Sequence, residues 1–367
     1  MKILKLQLQN FRSYEKIELK FNKNKPITLI LGKNGKGKTN LLESAYFLST
    51  GKTFQNAEQD NLIKWGMDFF SIKGEAEIKN EKTDLEILYS IYPRRQKAFK
   101  INEVITPHAK YLGNLITVLF HPKDLNMLYL EPSLRRKYVN LLLSQTDKYY
   151  LESLSSYTKL IKQRNALLEE ISEGTKSKSE LDIWDDSLAI EAANITLKRM
   201  ELINFFNKHI QSLYQKISGG KEKIEIKYLN TTNQNDAINQ DGISQVKSIY
   251  LKKLILKRDK DIRFGTTSVG PHRDDIKFIL NGHHLEESAS RGECRTLLIA
   301  LKAMEIKYIE KKIKEKPILL LDDVLSELDN NRQKHLFDIV EGCQVIITAT
   351  EAASDIIDKK TFNVVKI

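Results

Sequence analysis

The stretch Gly32-Lys-Asn-Gly-Lys-Gly-Lys-Thr39 constrains this chain more than any other. A glycine, four residues, then Gly-Lys-Thr is the spacing of a backbone that wraps with its N–H groups pointing inward. The run before it, Ile27-Thr-Leu-Ile-Leu31, is continuously apolar, as in a strand buried on both faces. After it, Leu41, Leu42, Ala45 and Leu48 recur at helical spacing. Strand, glycine turn and helix N-terminus together predict a phosphate-binding loop in an α/β fold. Gly32, Lys33, Asn34, Gly35, Lys36 and Gly37 would cradle phosphates. Lys38 would bring a cation to the outer ones, and the Thr39 hydroxyl would ligate Mg²⁺. The bland alternative, a Gly-Lys surface turn, gives no reason for the flanking strand and helix.

A second motif stands far downstream. Ile318-Leu-Leu-Leu-Asp-Asp-Val-Leu-Ser-Glu-Leu-Asp329 is an apolar strand ending in acids. In a parallel sheet the carboxyl end of such a strand lies beside the phosphate loop. Asp322 is then the candidate Mg²⁺ holder, and Asp323 the candidate for orienting or activating the attacking water. An exposed strand end with solubilising acids is the competing reading.

Between them the chain changes character. Leu151, Leu154, Tyr157, Ile161, Leu168 and Ile171 fit one helical stripe, and Leu181 to Ile217 carries a second. The polar loop 172–180 separates them, which predicts an antiparallel helical hairpin with a first arm of roughly 30 Å. Asn230–Gly242 reads as a surface loop. Strand signals return at Asp275–Leu280, with a helix over Arg291–Ile313 and short strands at Ile318–Leu321 and Val345–Ile347. The expected architecture is a discontinuous head, 1–120 with 264–367, enclosing a helical lobe over 121–263.

Charge is uneven. Net charge is +11, yet the last 53 residues hold 6 Lys and Arg against 10 Asp and Glu. Residues 247–263 hold 7 against 2. Clustered positive charge suggests an anionic polymer as partner, with solvated surface lysines as the alternative. Two cysteines, Cys294 and Cys343, build no disulfide framework and favour a reducing compartment, the cytoplasm. No apolar run nears the ~20 residues of a membrane span, so no membrane partner is expected.

The Asp-Asp pair running into Ser326-Glu-Leu-Asp329 resembles the ATP-binding heads of ABC and SMC-type proteins, in which such a D-loop lies at a dimer interface. Over nearly its whole length the chain resembles the RecF family of bacterial recombination mediators. Leu8-Gln-Asn-Phe-Arg-Ser-Tyr14, Pro122-Lys-Asp-Leu125, Arg135-Arg136-Lys-Tyr138 and Ser268-Val-Gly-Pro-His-Arg-Asp-Asp275 carry the resemblance. The central signature departs from the family at Lys123, Leu130, Glu131 and Asn140.

The resemblance implies an ABC/SMC-type P-loop ATPase head with an inserted helical hairpin. It implies ATP and Mg²⁺, weak DNA-dependent ATP hydrolysis, and a homodimer formed on ATP. It implies DNA as partner, duplex or at single/double-strand junctions, together with RecR and RecO, in a nucleoid-associated cytoplasmic protein of DNA damage repair. It places Ser290, Gly292 and Glu293, within Ser288-Ala-Ser-Arg-Gly-Glu-Cys-Arg-Thr296, at a signature that meets the γ-phosphate of ATP on a second copy. A plain helix cap by Ser290 fits the same residues, and Glu293 is expected to hydrogen-bond protein or ribose. His121 stands near a Q-loop position, and Thr348 or Thr350 near a switch-loop position. Arg12, Arg135, Arg136 and Lys137 are candidate DNA-phosphate contacts. His272 with Arg273 either contacts phosphate or sits in a turn fixed by Gly270-Pro271. Cys294 reads as a core residue in preference to a redox thiol. His283 and His284 lack partners at zinc spacing. An ABC transporter subunit and an ATP-binding scaffold without turnover are the competing functions.

Overall fold

The computed structural model describes residues 1–55, 57–232, 242–350 and 362–367. They form two compact units, Met1–Leu125 with Arg295–Ile367, and Asn126–Cys294.

In the first unit the apolar runs become a five-stranded parallel sheet. Its order is Asn363–Lys366, Ile27–Leu31, Val345–Ala349, Ile318–Asp322 and Thr117–Phe120. Leu319, Leu320 and Leu321 are fully buried, as an unbroken apolar strand requires. A six-stranded antiparallel sheet is built from Lys2–Phe11, Tyr14–Lys20, Phe69–Ile78, Glu81–Ser90, Gln96–Ile101 and Val104–Ile105. In Lys2–Phe11 the alternation puts Leu6 and Leu8 inside and exposes Gln9. The helix Lys38–Thr50 contacts both sheets. It is therefore buried on nearly every side, and its sequence lacks a polar stripe. Phe47 meets Phe70 and Phe11 edge-on or tilted, with ring centroids 5.5 and 6.3 Å away, and fixes the helix to the antiparallel sheet.

In the second unit the hairpin is Lys148–Ser172 and Leu181–Ser218. Asp147 caps the first helix, and a Ser177/Glu180 capping box opens the turn into the second. The second helix has 38 residues, or about 57 Å, against 25 residues and about 38 Å for the first. The basic segment 247–263 lies in a third helix, Gly242–Phe264, which buries Val246, Tyr250 and Leu254. Of the expected loop 230–242, residues 233–241 lie outside the described residues.

Arg164 knits this unit together. Its Nε reaches Asp185 at 2.7 Å and its Nη1 reaches Asp261 at 2.9 Å, all three side chains having no exposure. The unit's limits differ from the sequence expectation at 264–294. Asp275–Leu280 pairs with Ile224–Leu229 in a three-stranded sheet of this unit. Asp275 also receives Arg135 Nε and Nη2, at 2.7 and 2.8 Å. Strand partners, invisible in a linear pattern, decide that boundary.

Candidate functional site

The loop Gly32–Thr39 joins the buried strand Ile27–Leu31 to the helix Lys38–Thr50. Gly37 takes φ 95°, and a Cβ there would sit 2.8 Å from both Ser13 Oγ and Tyr14 Oη. Backbone conformation and space both demand glycine. The Tyr14 hydroxyl also donates to Lys36 O at 3.4 Å. Lys38 Nζ curls over the loop and donates to Gly32 O at 2.7 Å and Lys33 O at 3.0 Å. Its ammonium is held within the loop where an anion's charge would be met.

The carboxylates of the downstream strand arrive at the same place. Thr39 Oγ1 donates to Asp322 Oδ1 at 3.0 Å. Thr348 Oγ1, at the end of the neighbouring strand, donates to the same oxygen at 2.8 Å. His121 Nε2 lies 3.6 Å from Asp322 Oδ2. Asp323 follows in a left-handed conformation, φ 51°, and its N–H donates to Thr348 Oγ1 at 3.0 Å. This turn leaves its side chain exposed beside a buried Asp322. Partial burial, then the neighbouring Asp322 charge, raise the Asp323 carboxyl above the ordinary aspartate range. Downstream, Asp329 caps the helix Asn330–Val340 by accepting from Arg332 N at 2.9 Å. Ser326 is exposed, and its hydroxyl donates to Asp323 O at 2.7 Å.

Ser290 and Glu293 form a reciprocal cap. Glu293 Oε2 accepts from Ser290 N at 2.7 Å, and Glu293 N donates to Ser290 Oγ at 3.3 Å. Both sit at the start of the helix Arg291–Ile313, with Arg291 exposed. Burial, then Glu293, push the Cys294 thiol up, which opposes thiolate chemistry. The sequence reading missed Arg295, one position on, whose Nη2 reaches Glu327 of the 326–329 loop at 3.0 Å. A lone arginine in a helical pattern carries no signal of such a partner.

The candidate DNA contacts divide. Arg12 is spent on the buried Glu43, with Nε at 2.9 Å and Nη2 at 3.1 Å. Arg135 is 2% exposed and bound by Asp275, so its assignment to DNA is corrected to a structural strut. Arg136 is partly exposed and Lys137 exposed. Of the two readings of His272, its contacts favour the turn. Its Nδ1 accepts from Tyr157 Oη at 2.6 Å and its Nε2 donates to Thr267 O at 3.0 Å, leaving no atom for phosphate. Burial is the main cause that lowers its pKa to about 4 and keeps it neutral. Gly270 turns at φ 138° beside it, where a Cβ would strike Tyr157 Oη.

Residues 2–365 match the model of the RecF/RecN/SMC N terminal domain family. The DNA replication and repair protein RecF of Thermoanaerobacter sp. (strain X514) is 39% identical over 351 residues, 95% of this chain and 94% of that protein. RecF of Bacillus cereus (strain B4264) is 36% identical over 353 residues, covering 95% and 92%. The chain belongs to the RecF family. It is a recombination mediator of the RecF type. A solved structure described as the recombination mediator protein RecF-ATPrS in the RecFOR pathway matches with a TM-score of 0.89 and 32% identity. That match covers 100% of this chain and 96% of the other. An Smc head bound to the C-winged helix domain of ScpA matches with a TM-score of 0.53 at 14% identity, covering 95% and 89%, a likeness of fold. The RecF-family chain thus has an SMC-type P-loop head. Among its described residues no helix is long and apolar enough to cross a membrane.

Proposed function

We propose that this RecF-family chain binds ATP on Gly32–Thr39 and hydrolyses it slowly, as a switch that closes and opens a dimer on DNA. The observation that carries the reading is the meeting of Thr39 with Asp322 at 3.0 Å, 283 residues apart in sequence. Loop N–H groups and Lys38 would hold the phosphates, Lys38 exchanging the carbonyls of Gly32 and Lys33 for phosphate oxygens. The Thr39 hydroxyl and Asp322 carboxylate are hard oxygen donors that suit Mg²⁺, which when bound neutralises phosphate charge. Thr348 holds the Asp322 carboxylate in place. Asp323 accepts the proton of the attacking water, and its raised pKa strengthens it as a base. An aspartate reaches less far than a glutamate from the same position, which supports slow turnover.

The other half of the site comes from a second copy. The Ser290 hydroxyl and the N-terminus of the helix Arg291–Ile313, in whose first turn Gly292 lies, offer donors to a γ-phosphate. Glu293 is turned onto the Ser290 N–H, which keeps its charge within the cap. Ser326 and Asp329 sit on the D-loop that faces the partner copy. Net charge of +11 supports DNA as the polymer bridged, duplex or at a single/double-strand junction. A solved relative described as RecF in the RecFOR pathway supports work beside RecR and RecO.

Single-turnover hydrolysis, with protein in excess over ATP and with and without DNA, tests the switch. Slow product formation that stops in Asp323→Asn is expected. Bound ATP with no product in the wild type would leave only the scaffold reading.

A further inference from the structure

The second unit holds an open cleft of about 300 Å³. Arg136, Lys137, Asn140 and Arg199 are among its polar lining, and among the described residues no Asp or Glu lines it. Glu131 accepts from the lining Ser133 hydroxyl at 2.9 Å, and Asp274 and Asp275, the carboxylates that act on Arg136, are committed elsewhere. Asp275 takes Arg135 through both oxygens. Asp274 takes the Tyr228 hydroxyl, the Thr231 N–H at 2.8 Å, and Arg199 at 3.9 Å. Arg136 is left with a carbonyl oxygen, that of Asp274, at 2.8 Å. Lys137 is exposed and makes no ion pair among the described residues. Arg273, also exposed, gives its Nε–H to Thr267 O at 3.3 Å.

Two cations of the lining, Arg136 and Lys137, therefore have no carboxylate partner among the described residues, and Arg273 follows the lining residue His272 in sequence. Burial, then Arg199, hold the Arg136 guanidinium below its ordinary value, as expected where positive charge is in excess. His272 adds no competing charge, both its nitrogens being used. Leu154, Ile161 and Ile195 supply the apolar part of the lining. Cations and apolar side chains in one cleft match one nucleotide unit, its phosphate on the cations and its sugar on the apolar part.

We propose that this cleft seats a backbone phosphate of a DNA strand on Arg136 and Lys137, with the attached sugar against Leu154 and Ile161. The inference rests on the DNA-binding part of the proposed function and gives it a place.

The test is fluorescence anisotropy of the full chain with ATP, using labelled single-stranded and duplex oligonucleotides over a salt series. R136Q/K137Q is compared with K208Q/K216Q, which removes the same charge from exposed positions on the helix Leu181–Ser218. R136Q/K137Q should lose about tenfold in affinity, and its log K against log salt slope should shrink by roughly 0.7–0.9, the share of the one phosphate lost. K208Q/K216Q should keep the wild-type slope within about half a unit. Lys137→Glu, at an exposed position, should weaken binding in the same direction and covers the case of an unstable double variant. Unchanged binding by R136Q/K137Q and Lys137→Glu would overturn the cleft while the DNA reading stands. Equal losses in both double variants would reduce it to net charge. No DNA binding by the wild type would overturn both. Inorganic phosphate binding lost in R136Q/K137Q at unchanged DNA affinity would make the occupant a free anion and overturn the strand assignment.

Discussion

Thr348 Oγ1 donates to Asp322 Oδ1 at 2.8 Å, joining the ends of two parallel strands beneath the phosphate loop. The same hydroxyl accepts from the Asp323 N–H at 3.0 Å. One buried hydroxyl thus orients both acids. Thr348→Val keeps the shape and removes both bonds. It should cost about 1–3 kcal/mol of stability, the penalty of unpaired buried polar groups. Hydrolysis should fall further than ATP affinity. Thermal melting and single-turnover rates measure the two effects separately.

Asp323 predicts a pH profile. Its carboxyl titrates above the ordinary aspartate value, and only the ionised form accepts a proton. Single-turnover hydrolysis should therefore fall as pH drops through that raised value. Asp323→Asn should lower the rate by about 100-fold or more above that value and flatten the acid limb, so that the two rates converge as pH falls. An unchanged limb in the variant would assign the titration to another group.

His272 predicts a second, independent pH effect. Its folded pKa is about 4, against 6.5 for the free ring. Below 6.5 the unfolded chain takes up a proton that the folded chain refuses. Stability from this group is full above that value and is lost as pH falls toward 4, by up to about 3 kcal/mol. Melting temperature should drop over this window, and His272→Gln should show a shallower drop.

Much of the nucleotide site was legible because it is local. A glycine loop, the strand before it and the helix after it occupy contiguous residues, so Gly32–Thr39 announces itself. Asp322 was legible because an acid closing an unbroken apolar strand falls at the carboxyl end of a parallel sheet. What stayed hidden depends on partners far away in sequence. Arg135 reads as a surface cation until Asp275 is found 140 residues on. Arg12 reads the same way until Glu43 is seen inside the phosphate-loop helix. The helix Gly242–Phe264 hid behind its charge, since its buried face is carried mainly by Val246, Tyr250 and Leu254. Strand pairing, which assigns Asp275–Leu280 to the second unit, leaves no mark on periodicity.

The Arg164 cluster predicts where the second unit is most fragile. Arg164→Ala leaves Asp185 and Asp261 buried, with Arg258 reaching only Asp185. The loss should be about 3–5 kcal/mol in chemical denaturation. A loss below about 1 kcal/mol would mean that water enters and solvates the pair.

Gly37 tests the loop itself. Gly37→Ala adds a methyl against Ser13 and Tyr14 at a positive φ. ATP binding, followed by calorimetry, should be lost while the second unit still melts normally.

The central claim is that two copies share each ATP. Sedimentation velocity with ATP, Mg²⁺ and DNA measures it most directly, using Asp323→Asn to prevent turnover. A dimer that forms with ATP, dissociates without it, and is abolished by Ser290→Arg while that variant still binds ATP is the predicted result. A monomer under all these conditions would contradict the account.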